Sequence, residues 1–319
     1  MLTRSNPAAR LKGIKPSGIR HLFSQAQTIP NAINLGLGEP DFTPPNHILE
    51  GAKKALDEGK THYAPTNGIP ELREALAKKA KADYALSYDP EDEILITVGG
   101  TEAVFLALLS LINPADRVLI PDPGFVCYEP LTLMANGVPV SVPVLEKNGF
   151  EVDRDLVMSQ ITGKARAMII NSPHNPTGAV LSYNDLSSLA KLAVERDLVV
   201  ISDEVYEKIT YDRTRHYCLA TFRGMRERTL VIGSFSKTYA MTGFRVGYAY
   251  GPRELISSLA LAHQFSVACV DGVAQHAALA ALEGPQDFVG KMVSEFDKRR
   301  RLLCGRLNEI EGFRCRLPK

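Results

Sequence analysis

The strongest constraint on the fold of this chain is an alternation. Short runs that are almost continuously apolar or β-branched, "ILIT" (94–97), "RVLIP" (117–121), "PVSVPV" (139–144), "AMIIN" (167–171), "LVVISD" (198–203) and "TLVIGS" (229–234), are separated by longer stretches, several with helical periodicity. "TEAVFLALLSLI" and "SYNDLSSLAKLAVERD" are examples of the latter. Strands without a polar face must be covered on both sides, and strands joined through helices can run parallel. The pattern therefore predicts an α/β fold, a mainly parallel sheet with helices on both faces. In such sheets ligands bind outside the carboxyl ends of the strands, so the loops leaving the strands are where chemistry is expected.

With 319 residues, 45% hydrophobic and 23% charged, the chain is long enough for one or two domains with a substantial core. A net charge of +1 gives no electrostatic reason to bind nucleic acid or an anionic membrane. Five scattered cysteines (Cys127, Cys218, Cys269, Cys304, Cys315) without C-x-x-C spacing suit reduced thiols rather than a disulfide frame or a zinc site. With neither a signal peptide nor a membrane-length apolar run in view, the expectation is a soluble cytoplasmic protein. The first ~30 residues, with Arg4, Arg10 and Lys12 and few regular patterns, read as an N-terminal arm. "PELREALAKKAKADYAL" (70–86) makes a charged amphipathic helix, and from about 285 the spacing predicts a long surface helix. In "EGFRCRLPK" a new strand is expected to begin.

Each strand exit carries a residue of chemical interest beside an ordinary structural reading. After "ILITV", Gly99-Gly100-Thr101 leads into a helix and can cradle an anion on backbone N–H groups, or be a plain tight turn. Neither G-x-x-x-x-G-K-[ST] nor G-x-G-x-x-G occurs at a strand exit, which excludes the common nucleotide fingerprints. After "RVLIP", Phe125 in "DPGFVCY" can stack on a planar ligand or pack on the core. After "AMIIN", the loop Ser172-Pro173-His174-Asn175-Pro176-Thr177-Gly178 is stiffened by two prolines, with a cis bond expected at Asn175-Pro176. It can aim the Asn175 amide at a ligand or simply turn the chain; His174 lacks partners at metal-ligand spacing. After "LVVIS", Asp203 faces desolvation unless a cation pairs with it or it reaches solvent, and Tyr206 follows. After "TLVIG" come Ser234, Lys237 and Arg245. A lysine in this otherwise uncharged run is either a solvated loop residue or an amine made nucleophilic by burial. Together the exits describe a pocket for a planar, phosphorylated compound with a cationic ring and an electrophile for lysine; pyridoxal 5′-phosphate has all of these.

The segments "INLGLGEPDFTPP", "THYAPTNGIPELREAL", "NSPHNPTGAV", "SDEVYE" and "GSFSKTYAMTGFRVGY" occur in an order that resembles the fold-type-I pyridoxal-phosphate aminotransferases of class I/II, most closely the prokaryotic aspartate and aromatic branch. The resemblance runs over nearly all of residues 15–319. It implies that Lys237 bonds the cofactor aldehyde, that Asp203 pairs with the ring nitrogen, and that Tyr206 and Asn175 hydrogen-bond the ring oxygen. It further implies that Phe125 stacks on the ring, while Gly100, Thr101, Ser234 and Arg245 hold the phosphate. Tyr63 matches a tyrosine that crosses to the other subunit's phosphate, implying a homodimer with shared sites. Gly38 matches the backbone position beside the substrate carboxylate, and Asn175 stands with it at the substrate. The implied reaction moves an amino group between an L-amino acid, aspartate or aromatic, and 2-oxoglutarate by a ping-pong route. The implied division is an N-terminal arm with part of a small domain (1–45), a large cofactor-binding domain (46–284), and a connecting helix with the start of a truncated small domain (285–319).

The chain departs from this pattern in one respect. The family's arginine that clamps the substrate carboxylate lies in the small domain, beyond Lys319, and neither Arg314 nor Arg316 stands in its context. Loss of such a contact costs on the order of 2–5 kcal/mol, so the expectation for these 319 residues is cofactor binding with poor transamination. A lyase of the same fold would share Lys237, Asp203 and Arg245 and be told apart by its products. A non-catalytic cofactor-binding module is the alternative from outside enzymology, disfavoured by the balanced charge.

Overall fold

A computed structural model describes residues 8–16, 18–26, 28–33, 35–36 and 38–319; Arg4, and Asn34 and Leu37 of the "INLGLGEPDFTPP" segment, lie outside the described residues. The strands are β1 (Ile94–Thr97), β2 (Arg117–Asp122), β3 (Val138–Pro143), β4 (Ala165–Asn171), β5 (Val199–Asp203), β6 (Thr229–Ser234) and β7 (Gly247–Tyr250). The helices are α1 (Ala9–Lys12), α2 (Gly18–Ala26), α3 (Asn46–Asp57), α4 (Pro70–Tyr84), α5 (Gly100–Leu111) and α6 (Tyr128–Met134). They continue with α7 (Arg154–Gln160), α8 (Tyr183–Glu195), α9 (Phe235–Thr238), α10 (Arg253–Ser266), α11 (Gly272–Glu283) and α12 (Asp287–Asn308).

All six strands expected from the apolar runs form, and with β7 they make one seven-stranded sheet in the order β1-β7-β6-β5-β4-β2-β3. β7 pairs antiparallel with both β1 and β6, so the other six strands share one direction. Its sequence, "GYAY", lies inside the motif run and lacks an aliphatic stretch, which is why the alternation did not reveal it. The register has a consequence for the site. Gly247 lies opposite both Thr97 and Ser234, so β7 begins where β1 and β6 end. An arginine just before an antiparallel strand is thereby delivered to the carboxyl edge of the parallel ones.

Both faces of the sheet are covered, as strands without a polar side require. Along β1, Ile94 and Ile96 join Leu72 and Leu76 of α4 and Ala277 of α11 in one apolar cluster. Leu95, between them, joins Leu106 of α5 and Leu259 of α10 in another. The period-2 alternation continues in β4, where Met168 and Ile170 pack with Leu189 of α8 and Ile169 packs with α5. Each such fully buried leucine or isoleucine contributes about 1.5–3 kcal/mol. The α8 start is sharply defined by a capping box, Ser182 Oγ accepting from Asp185 N (3.2 Å) and Asp185 accepting from Ser182 N (2.8 Å).

Two expectations at the chain ends are corrected. The N-terminal arm contains two helices, α1 and α2, rather than an irregular run. No strand forms in residues 313–319; instead that segment is pinned by side chains. Asn308 receives from Cys315 N (2.6 Å) and donates to Cys315 O (2.9 Å), occupying the groups a neighbouring strand would use, and Lys319 N donates to Gly178 O (2.9 Å). Among the described residues no helix is long and apolar enough to cross a membrane.

Candidate active site

The exits of β1, β4, β5 and β6 and the approach to β7 converge at one edge of the sheet. At the β1 exit, Gly99 caps α5 with φ +78°, a conformation that side-chain-bearing residues rarely adopt. The N–H groups of Gly100 and Thr101 open the helix, and Thr101 is exposed. Over this turn lies the guanidinium of Arg245: a Cβ placed on Gly99 would lie 2.4 Å from Arg245 Nη2. Arg245 itself is left-handed (φ 55°), and its Nη1 donates to Thr242 O (2.9 Å) and Ser236 Oγ (3.4 Å). Gly247 closes the back of the turn, where a Cβ would meet Gly100 N at 2.5 Å. A helix N-terminus, an arginine fork and hydroxyls around a space kept free of side chains form a cradle that suits a phosphate dianion.

The acid and the hydroxyl sit on the β5 exit. Asp203 is buried, and burial pushes its carboxyl up to about 6 despite a hydrogen bond from Tyr128 Oη to its Oδ2 (2.6 Å). Such a group gains from a cation, because a cation stabilises the form that burial penalises. Asn171, level with Asp203 in the β4–β5 register, donates from Nδ2 to Asp203 O (2.9 Å) and accepts from Asn175 N (2.7 Å). That pair of bonds ties two strand exits together and sets the Asn175 loop, whose Ser172-Pro173 and Asn175-Pro176 peptides are both cis. The Asn175 side chain donates to Tyr206 Oη at 3.3 Å, and burial drives the Tyr206 hydroxyl up to about 12. His174 is held inside its own loop by Thr177 (2.7 Å) and lowered to about 4 by burial.

At the β6 exit, Ser234 Oγ accepts from Ser236 N (3.1 Å) and so caps α9, the single helical turn that carries Lys237. Phe235 anchors that turn in the core. The Lys237 ammonium donates to the Gly38 carbonyl and stands 5.9 Å from the centroid of the Tyr206 ring. Burial lowers its proton affinity, Glu39 opposes that shift and Arg245 adds to it. Phe125, half-buried, meets the Tyr128 ring edge-on at 5.5 Å.

The structure thus brings Gly38, Gly100, Thr101, Phe125, Asn175, Asp203, Tyr206, Ser234, Lys237 and Arg245 to the same edge of the sheet. It does not bring Tyr63 to them; that side chain is 91% exposed. Three residues that sequence reasoning passed over are structural partners of the site. Tyr128 lies three residues after Phe125 on the turn that starts α6, a spacing that puts both on one side. Asn171 is the polar last residue of the apolar run 167–171 that ends β4. Ser236, between Ser234 and Lys237, shares the Arg245 guanidinium.

Comparison with known proteins shows the family. The family model for aminotransferase class I and II matches residues 30–319. The chain is 45% identical over 303 residues to an aspartate aminotransferase of Pyrococcus abyssi, covering 94% of this chain and 78% of the relative. It is equally identical, with the same coverage, to aromatic-amino-acid aminotransferase 2 of Thermococcus litoralis. The crystal structure of the aspartate aminotransferase from Rhizobium meliloti superposes with a TM-score of 0.94 at 35% identity, covering 98% of this chain and 80% of that one. The cradle at Gly99, the buried acid and the half-buried amine occur here in a chain that belongs to aminotransferase class I and II, a pyridoxal-phosphate-dependent family, within its aspartate and aromatic branch.

Proposed function

We propose that this protein transfers an amino group between an L-amino acid, aspartate or an aromatic one, and 2-oxoglutarate, with pyridoxal phosphate held at the converged strand exits. The observation that carries the proposal is Lys237: an amine of lowered proton affinity that faces the same space as a buried acid and an anion cradle. Pyridoxal phosphate supplies an aldehyde open to attack by a primary amine and a ring that accepts the electron pair of the breaking Cα–H bond.

Around it, each residue has a physical task. Arg245, the N–H groups of Gly100 and Thr101, and the Ser234 hydroxyl hold the phosphate, with Ser236 supporting the arginine. Asp203 would hold a proton on the ring nitrogen, and that ion pair would relieve the cost of burying its carboxyl. Tyr206 and Asn175 donate to the ring oxygen, and Phe125 covers the ring face. Lys237 would be the amine that holds the cofactor through its aldehyde and, once freed by the substrate amine, would be placed to move the proton at the substrate Cα. The Gly38 backbone and the Asn175 amide lie beside the substrate carboxylate. The second substrate, a 2-oxo acid, runs the same steps in reverse, which is ping-pong kinetics. The tyrosine that completes the phosphate site is Tyr63 of a second copy.

The test is an absorption spectrum of the purified chain with pyridoxal phosphate, before and after L-aspartate, L-glutamate or L-tyrosine, with Lys237→Ala as control. The expected result is a visible band that needs Lys237 and bleaches with one of the amino acids. A band that forms equally well in Lys237→Ala overturns the reading.

A further inference from the structure

Behind Asp203, on the opposite face of β5 and its exit, lies a second buried acid with no task in the proposed reaction. Ser202 and Glu204 flank Asp203 and point away from it: Glu204 Oε1 accepts from Ser202 Oγ (2.8 Å) and from Leu219 N (3.3 Å). Its other oxygen, Oε2, lies 2.9 Å from His216 Nε2. The two side chains are 6% and 4% exposed, so the pair is shut off from solvent. His216 Nδ1 is buried and makes no hydrogen bond to any described residue. We propose that His216 is a positioning residue for the active site, the counter-cation that neutralises Glu204 directly behind Asp203 and so fixes how much negative charge Asp203 experiences from the strand that carries it.

The charges around the pair favour this assignment. Glu207, from the same strand exit, adds a second acid facing His216, while Lys79 of α4 opposes it. Tyr84 of α4 contributes its ring, edge-on at 6.1 Å, and Cys218 lies against Glu204 from the following loop. Burial alone would lower the proton affinity of His216, but Glu204 and then Glu207 outweigh it and the ring is held above its ordinary value. The buried carboxylate 2.9 Å from the ring therefore favours the protonated, ion-paired form of His216. When His216 loses its proton, the Glu204 charge stands uncompensated, and that charge acts on Asp203 to raise its proton affinity. The coupling joins a group outside the pocket to the acid proposed to hold the ring nitrogen. Its functional meaning rests on that proposed role of Asp203; the coupling itself does not.

The test uses the cofactor-free chain labelled with [4-13C]aspartate, with the Asp203 carboxyl signal identified by its loss in Asp203→Asn. His216→Gln keeps a donor for Glu204 but removes the positive charge; Glu204→Gln removes the negative one. The expected outcome is a shift of the Asp203 midpoint of about half a unit to one pH unit, upward in His216→Gln and downward in Glu204→Gln. A merely structural role moves both variants in the same direction, and that result, or no movement in either, overturns the inference. Wild type gives an independent check if a variant does not fold. Its Asp203 signal is expected to show a second, smaller inflection at the pH where the His216 ring protons titrate, and absence of that inflection overturns the coupling. Opposite shifts in a chain that gives no band with pyridoxal phosphate would uphold the coupling and reject the proposed function.

Discussion

Asp203 is the residue at which stability and proposed function pull apart. Its carboxyl titrates near 6 in the folded chain, against 3.8 for the ordinary group, and burial is the main cause. Between those values the folded state binds more protons than the unfolded one, so stability falls as pH rises from about 4 through 6. Above pH 7 the whole penalty is present, about 2 to 3 kcal/mol for a shift of this size. Asp203→Asn keeps an acceptor for the Tyr128 hydroxyl and removes the buried charge. The cofactor-free variant should therefore be more stable than wild type at pH 8 by about 2 kcal/mol and nearly equal to it at pH 4. Urea unfolding at the two pH values measures this; an unchanged difference would mean that Asp203 is not paying for its burial. With pyridoxal phosphate added the order should invert, since the neutral amide cannot hold a ring proton. Asp203 was legible as a candidate because an acid ending an apolar strand is out of place. Tyr128 was not, because a tyrosine beside apolar residues looks like core until the register shows what its hydroxyl meets.

At the scale of elements, the seam between the β1–α5 turn and the start of β7 makes the anion cradle, and two glycines there should answer differently to a methyl group. Gly99→Ala places a side chain at φ +78° and 2.4 Å from the tip of Arg245, a long side chain that can move aside. The expected stability cost is about 1–2 kcal/mol from the left-handed backbone, with a loss of phosphate affinity because the arginine is displaced. Gly247→Ala instead drives Cβ against the backbone of Gly100 and Gly99 at 2.5 Å, which cannot yield without parting β7 from β1. It should cost about 2–3 kcal/mol, as overpacking does. Thermal unfolding and isothermal titration with inorganic phosphate separate the two; equal affinities in Gly99→Ala and wild type would remove Arg245 from the cradle.

A second seam fixes the loop after Tyr206. Lys79 of α4 lies 2.6 Å from Glu207 and 2.7 Å from Asp83, with Lys79 and Glu207 only 11% and 9% exposed, and Tyr84 donates to Glu207 as well. Lys79→Met leaves Glu207 buried without its cation and should destabilise by about 3–5 kcal/mol, whereas Lys79→Met with Glu207→Leu should recover much of that loss. Additive losses in the double variant would show that the pair does not interact. This network, like the antiparallel strand β7, was not legible in the sequence. Strands and helices follow from local periodicity, and six strands were placed by it, but which charged helix residue reaches which loop is decided by packing between segments 128 residues apart.

For the molecule as a whole, the open question is what meets its exposed apolar side chains. On α10, Leu261 and Phe265 are 60% and 81% exposed, one helical turn apart, and Val267 follows at 43%. Tyr63, proposed to reach a phosphate, is 91% exposed. The proposed second copy of this chain would account for both, covering the α10 face and giving Tyr63 a site to complete. The cofactor-bound protein should then sediment at twice the monomer mass. Tyr63→Phe should weaken pyridoxal phosphate binding several-fold without moving the unfolding temperature, as expected of a hydroxyl that touches the phosphate and nothing in its own subunit. A mixing experiment makes the sharing explicit. Lys237→Ala chains and Tyr63→Phe chains, each defective alone, should form hybrid dimers in which one site has an intact Lys237 and an intact Tyr63, the two contributed by different chains. A quarter to a half of wild-type transamination restored on mixing is the expected sign; no gain, with dimers present by sedimentation, would place Tyr63 outside the site.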